Sequence, residues 1–362
     1  MNNTTLTIAA LLTFCQLSAA QINYNIPYPR PVGDADDTLS FYIIGDVMMH
    51  SPQLKYDCSK FFETLEPDMR AADVMVANME FTLAGPPYTG YPCFSAPDGY
   101  ARYMVEECGA DVLLTANNHI LDKGSGALCR TLDVYSELHE EYGARFTGSA
   151  RDAEEMDRNF PLMIEKNGFR IALINFTYGT NLGGRKPWPK VCRMEKDGIA
   201  QAFDSARLQG ADFIIALPHW GDEYKLNHNS TQEEWAEWMV GQGADAIVGA
   251  HPHVVQDTTH ICGRPVIYSI GNAVSNMSAE NTRLELAVSI KFVCDSRTGK
   301  KRMLEPQLHF LWCTRPGTLT EGYTTIYAEE WANRRGDWLT PSDFDNMTET
   351  LKRVKDATGI GR

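Results

Sequence analysis

What this sequence lacks narrows it first. It has no low-complexity tract, no short-period repeat and no heptad run, which excludes coiled coils, solenoid arrays and compositionally disordered chains. Basic residues are in deficit: 33 Lys and Arg stand against 47 Asp and Glu, for a formal net charge of −14. Such a chain does not offer a broad surface to nucleic acid or to an anionic membrane, which leaves open a local basic pocket for an anionic substrate. No Cys-x-x-Cys pair occurs, so the usual signature of a cysteine zinc site is missing. Beyond the first twenty residues no run is apolar and long enough to span a bilayer.

What is present is an ordinary globular composition, 43% hydrophobic and 22% charged. The first residues, MNNTTLTIAALLTFCQLSAAQ, carry an apolar segment followed by Ser18-Ala19-Ala20. That is the pattern of a cleavable secretory signal over residues 1–20, although Lys and Arg are missing from its start. A Pro-rich, acidic lead-in over 21–38 follows, then a main domain over 39–318 and a partly helical extension over 319–362. Removing Cys15 leaves eight cysteines. An even number in an exported chain points to disulfides; the alternative is that several serve as small buried apolar side chains. Sequons stand at Asn175, Asn229, Asn276 and Asn346.

Through the main domain, short apolar runs alternate with helical patterns. LSFYIIGD, ADVMVANME, DVLLTANNH, ADFIIALPHWG, ADAIVGAHPH and RPVIYSIGN read as strands. FPLMIEKNGFRIALINFTYG reads as a strand pair turning at Asn167-Gly168. PDGYARYMVEECGA, GALCRTLDVYSELHEEYG, DGIAQAFDSARLQG and STQEEWAEWMVGQG read as helices, the last opened by a capping box from Thr231 to Glu234. The alternation predicts an α/β protein with largely parallel central strands.

The strands end in polar groups: Asp46 with His50, Asn78 with Glu80, Asn117-Asn118-His119, His219, His251 with His253, and Asn272. Each alone has a plain structural explanation, as a helix cap, a turn residue or a hydrogen-bonded core histidine. Together they are harder to dismiss, because ligands in α/β sheets bind outside the carboxyl ends of the strands. Buried carboxylates and imidazoles in one place cost free energy unless a cation binds among them. The mixed oxygen and nitrogen set suits Zn, Mn or Fe better than Ca or Mg. It is also too large for one tetrahedral zinc. Two divalent metal ions roughly 3.5–4 Å apart would use it and would serve hydrolysis.

The motifs GDVMMH (45–50), VANME (76–80), TANNHILDKG (115–124), ALPHWGDEY (216–224), VGAHPHVVQ (248–256) and IYSIGN (267–272) resemble, in order, those of the CapA family of poly-γ-glutamate capsule biosynthesis proteins. That family is related to the calcineurin-like metallophosphoesterases. The resemblance implies a four-layer αββα sandwich of metallophosphoesterase type with a two-metal centre. It implies Asp46 and His50 as ligands of the first ion, Glu80 as the bridge, Asn118 and His219 on the second, and His251 and His253 on one ion each. His119 would be a general acid oriented by Asp122, with Asn78, Asn117, Trp220 and Asn272 supporting the ligands. His50 departs from the related Asp-x-His pattern; a helical turn after the strand would bring it back to Asp46.

The expectation is therefore an exported metal-dependent hydrolase of a phosphoester or an amide, such as the γ-amide of polyglutamate. The alternative is a non-catalytic polymer-binding or export protein with a retained structural metal site. The partner is an acidic polymer or a small-molecule substrate, not nucleic acid; the oligomeric state is left open. Arg185, Lys186, Lys190 and Arg193 are the candidate contacts to an anionic substrate, or simply a solvated loop.

Overall fold

The computed structural model describes residues 37–184 and 187–361. The signal expected over 1–20 and nearly all of the lead-in lie outside the described residues, as do Arg185 and Lys186.

The chain first builds β1 (Asp37–Val47), α1 (Glu66–Ala71), β2 (Val74–Met79), α2 (Asp98–Glu106), β3 (Ala110–Leu114), α3 (Gly124–Tyr142) and β4 (Arg145–Thr147). These four strands are parallel neighbours in that order. A second run follows: β5 (Ser149–Ala150), α4 (Ala153–Asn159), β6 (Leu162–Lys166), β7 (Phe169–Thr177), β8 (Lys190–Val191), α5 (Lys196–Leu208), β9 (Phe213–His219), α6 (Ser230–Gln242), β10 (Ala246–Val248), β11 (Thr258–Ile261) and β12 (Arg264–Ile267). Its main sheet has the order β11-β12-β10-β9-β7-β6, with β7, β9, β10 and β12 parallel. The chain then returns to the first sheet with β13 (Leu284–Cys294), β14 (Lys301–Met303), β15 (Gln307–Cys313) and β16 (Thr325–Tyr327), and ends in α7 (Ala328–Trp331) and α8 (Pro341–Thr358).

Alternation along the strands sorts their side chains into three cores. Phe41 and Ile43 of β1 face Ile171, Leu173 and Ile215 of the second sheet, so the two sheets pack face to face. Tyr42 and Ile44 face the other way, onto α2 and α3 with Tyr100, Met104, Leu128 and Leu132. On the far side, Ile174 and Ala216 meet Ile199 and Phe203 of α5 and Met239 of α6. Both faces of both sheets are thereby covered, which is why the strands read as continuous apolar runs. The layers are helix, sheet, sheet, helix, the αββα sandwich expected. Helix α8 places Phe344, Met347 and Leu351 in the core between the sheets, and Arg283 pairs with its Asp343 through two short bonds of 2.5 and 2.7 Å.

Two local expectations are corrected. The capping box of α6 is Asn229 with Gln232, not Thr231 with Glu234: the helix begins at Ser230, one residue after Asn229, whose side chain accepts from the Gln232 N–H at 2.9 Å. Among the described residues no disulfide joins Cys58, Cys93, Cys108, Cys129, Cys192, Cys262, Cys294 or Cys313. Cys108, Cys192 and Cys313 are buried as small apolar side chains. Asn175, which opens one of the sequons, is buried in β7, accepting from Ala116 N–H of the first sheet's side at 2.9 Å and donating to Leu217 O of its own sheet at 2.8 Å.

Among the described residues no helix is long and apolar enough to cross a membrane. At one end the two halves approach so closely that the backbone leaves no room for a side chain. A Cβ on Gly45 would lie 2.0 Å from the carbonyl oxygen of Gly271. Gly45→Ala is expected to lower the free energy of unfolding by at least about 2 kcal/mol in urea. Gly126→Ala, in α3 with nothing within 4 Å of the added carbon, should be neutral or stabilising. Equal behaviour of the two variants would contradict the close approach.

Candidate metal centre

That tight junction lies at the carboxyl ends of the parallel strands of both sheets. The β1–β2 pairing shifts register between Ile44 and Asp46, a bulge of the kind that re-aims a side chain. Asp46 is thereby turned inward and fully buried, its own N–H donating to Gly271 O at 3.1 Å. Asn78, next to last in β2, donates from Nδ2 to Asp46 Oδ1 at 2.6 Å. Glu80 follows two residues later, with no exposed surface. From the other sheet, His219 ends β9, and His251 and His253 follow β10 in backbone with φ of 99° and 59°. Positive φ in non-glycine residues costs of order 1–3 kcal/mol and persists where surrounding structure enforces it.

The histidines converge on the carboxylates. His253 Nδ1 lies 3.3 Å from Asp46 Oδ2 and 2.9 Å from Asn272 Oδ1. His219 Nε2 stands 2.8 Å from Asn118 Oδ1 and 3.7 Å from Glu80 Oε1, and its Nδ1 is 3.8 Å from Asp46 Oδ1. Two groups of potential ligand atoms share Glu80: one with His219 and His251, the other with Asp46 and His253. The structure thus brings Asp46, Glu80, Asn118, His219, His251 and His253 together.

The electrostatics are unbalanced. Burial, and then the charge of Asp46, push Glu80 well above the usual carboxylate range. Burial and the neighbouring imidazoles hold His219 and His251 well below the usual histidine value. Burial works against a charged His253 as well, but Asp46 outweighs it and raises that group. Neither oxygen of Glu80, nor Nδ1 of His251, has a hydrogen-bond partner among the described residues. A buried carboxylate with both oxygens unsatisfied costs several kcal/mol, and a divalent cation among these donors would remove that cost. The donor set, two carboxylates with imidazoles and an amide oxygen, fits a zinc-, manganese- or iron-type ion.

The remaining expected residues take other positions. His119 is buried beside the cluster, with Nδ1 2.6 Å from Asp122 Oδ2 and Nε2 4.0 Å from Glu80 Oε1. Asp122 Oδ2 also accepts from Phe94 N–H at 2.8 Å. Asn117 braces the turn, its Oδ1 accepting from His119 N–H at 3.2 Å and its Nδ2 donating to Met79 O at 2.9 Å. Asn272 Nδ2 donates to His253 O at 3.2 Å. Trp220 packs behind the second sheet, with Nε1 donating to Tyr268 O at 2.9 Å; it touches the backbone that positions His251, not the cluster.

His50 stands outside the ligand groups. No helical turn follows β1; residues 48–50 are irregular and the first turn is a short 3-10 helix at Gln53–Lys55. The His50 ring instead faces Gln53 Oε1 and the Asn276 N–H, each 3.2 Å from its Nδ1. Lys190 and Arg193 line a groove of about 220 Å³ separate from the cleft over the cluster. Lys190 lies over the Trp188 ring and Arg193 donates to Thr180 Oγ1 at 2.7 Å, because pairing of β8 with β5 draws this loop to one side.

Above the cluster lies a cleft of about 650 Å³. His50, Phe94, His119, Tyr224, His253 and Glu223 are among its walls, and among the described residues no Lys or Arg is. Sequence reasoning passed over Glu223, an exposed residue four after His219, although it lies inside the motif that drew attention to that histidine. It also passed over Glu285, buried on β13, whose Oε1 accepts from Gly45 N–H at 3.4 Å behind Asp46. Alternation within an apolar strand gave no signal for it.

Residues 40–277 match the family model described as bacterial capsule synthesis protein PGA_cap. The chain is 29% identical over 271 residues to the PGA biosynthesis protein CapA of Bacillus subtilis (strain 168), an alignment covering 70% of this chain and 68% of that protein. It is 27% identical over 263 residues to the capsule biosynthesis protein CapA of Bacillus anthracis, covering 68% of this chain and 62% of that one. Among solved structures, the sulfate thiohydrolase of Thermus thermophilus superimposes with a TM-score of 0.46 at 13% identity, over 92% of this chain and 62% of its own.

Adding Mn²⁺ or Zn²⁺ to chelator-treated protein should raise its unfolding free energy by about 3 kcal/mol at a hundredfold excess over Kd. Glu80→Gln should lose most of that gain, yet exceed the stripped wild type in stability, because it removes an unpaired buried carboxylate. Unfolding curves with and without the ion decide the matter; an unchanged response in the variant would remove Glu80 from the site.

Proposed function

The chain belongs to the bacterial capsule synthesis PGA_cap family, and on that premise we propose that it is an exported, divalent-cation-dependent hydrolase of a cell-surface polymer. The bond we assign is an amide such as the γ-linkage of poly-γ-glutamate, ahead of a phosphoester. Among the described residues the cleft walls offer no guanidinium or ammonium to neutralise a phosphoryl group, whereas a scissile amide is neutral.

Asp46, Glu80, Asn118, His219, His251 and His253 would hold two cations, with Glu80 common to both sets of ligand atoms. Bound there, the cations would supply a water of lowered pKa and neutralise charge developing on the carbonyl oxygen. The rest is the work of the chain. Asn78 holds Asp46 through the 2.6 Å bond, and Asn272 holds His253. Phe94 packs edge-on against the His119 ring, with centroids 4.6 Å apart, and shields it from bulk water.

The observation that carries the catalytic reading is the His119–Asp122 couple. A histidine used only for structure needs no buried carboxylate at 2.6 Å on one nitrogen while the other faces the cluster. Asp122 accepts the Nδ1–H and so keeps Nε2 available to the cleft. As the C–N bond breaks, His119 Nε2 delivers its proton to the leaving nitrogen, and Asp122 stabilises the imidazolium before that transfer.

His119→Ala should lower kcat on a γ-glutamyl peptide by about 10²–10⁴-fold with cation content unchanged. Asp122→Asn should lower kcat with little change in KM, since it leaves the ring in the wrong tautomer. Elemental analysis alongside steady-state kinetics tests both. Loss of cation in step with loss of turnover would contradict the acid role. Absence of turnover in a wild type that carries its cations would favour a polymer-binding or export protein.

A further inference from the structure

We infer that Glu223 is a further cation ligand, carried on a loop, so that cation binding and closure of the 221–229 segment are coupled. The inference rests on the cation reading above and adds a residue which that ligand set does not contain. Glu223, His251 and His253 offer three ligand atoms within 4.8 Å of one another. The two imidazoles are buried and belong to the cluster; the carboxylate is exposed and reaches them from outside.

The loop is built to hold it there. Tyr224, the next residue, has φ 65°, and its N–H donates to Pro252 O at 2.9 Å, directly between the two histidines in sequence. Asp222 accepts from Asn229 Nδ2 at 2.8 Å. Gln256 Nε2 donates to the carbonyls of Lys225 and Asn227 at 3.0 and 3.1 Å. Asp257 accepts from the His228 N–H at 2.9 Å and lies 3.0 Å from its ring. Strain at a non-glycine residue, enforced from both sides, is characteristic of segments that fix a functional group.

The chemistry follows from position. The carboxylates beneath the histidines, Asp46 and Glu80, are fully buried and fixed by the sheet ends. Glu223 alone in this set can leave without unfolding the core. A cation held by His251 and His253 would then have one ligand that exchanges with solvent or with an incoming carboxylate. Among the described residues a substrate bearing carboxylates meets no cationic side chain on the cleft wall; the place it would take is the one Glu223 occupies.

The test is titration of chelator-treated full-length protein with Mn²⁺ in a calorimeter, together with amide hydrogen exchange across 221–229. The wild type should bind two ions, and ion binding should slow exchange in that segment. Glu223→Gln should weaken one of the two sites by about 10–100-fold and abolish the slowing. Asp222→Asn removes the same charge one residue away and keeps an oxygen for Asn229; it should bind as the wild type does. Unchanged affinity in Glu223→Gln overturns the assignment while leaving the buried site intact. An equal loss in Asp222→Asn also overturns it, since long-range charge would then suffice. A wild type that binds no Mn²⁺ overturns this inference together with the cation site beneath it.

Discussion

The arrangement depends on an unpaid charge: two carboxylates, Asp46 and Glu80, buried without exposure at the meeting point of two sheets. Asp46 is satisfied in part, by Asn78 and by His253. Glu80 is not; its nearest cationic candidates are His219 and His119, 3.7 and 4.0 Å away, and burial keeps His219 neutral. Attraction at that distance offsets a buried charge only if the geometry is good and the other lone pairs are satisfied. Here they are not. The fold therefore holds a local deficit that the surrounding packing must outweigh, and that a cation would cancel.

The packing that outweighs it is the face-to-face core of the two sheets. Each half of the molecule ends its parallel strands at the same edge, so both supply polar groups to one place. The halves must then approach within backbone contact, which explains glycine at 45 opposite 271. Glycine at 249 answers a crowding within the second half itself, where a Cβ would lie 2.1 Å from Tyr268 O and 2.4 Å from Trp220 Nε1. Asn175 joins the sheets by accepting from Ala116 N–H and braces its own sheet by donating to Leu217 O. The positive φ of His251 and His253 belongs to the same constraint: His253 meets Asp46 Oδ2 with its ring, whereas His251 meets it with its backbone N–H, each at 3.3 Å.

Much of this was legible in the residues. Apolar runs of strand length interleaved with helical patterns specified an α/β protein with largely parallel strands, the family resemblance supplied the four layers, and the polar residue that stops each run marked the edge where a site could form. What could not be read was anything decided by tertiary approach. His50 was expected to fold back on Asp46 through a helical turn, but the segment after β1 is held by Val274 and Asn276 from a distant stretch of chain. Lys190 and Arg193 looked like substrate contacts because their loop is basic; pairing of β8 with β5 takes these two to a separate groove. The cysteine count suggested cross-links, yet the residues fill cores or lie on separate elements. Glu223 and Glu285 carried no periodic signal, one being in a loop and the other hidden in a strand of apolar neighbours.

The acidity of the chain and the proposed acidic substrate are reconciled at this same edge. A net charge of −14 repels a polyanion at long range, and the cleft wall adds Glu223 rather than a counter-charge. Attraction has to come from within the cluster, at short range and in low dielectric, where a cation's field is least screened. Such a site would grip a polymer at the bond being cut and nowhere else along it. It would also let the cleaved chain go readily, since the rest of the surface favours its departure. A protein that binds a capsule polymer for transport or tethering would gain from a basic groove running the length of the contact. Among the described residues the cleft has none, and the couple of His119 with Asp122 stands where a bond would be broken, so the electrostatics and the acid point the same way.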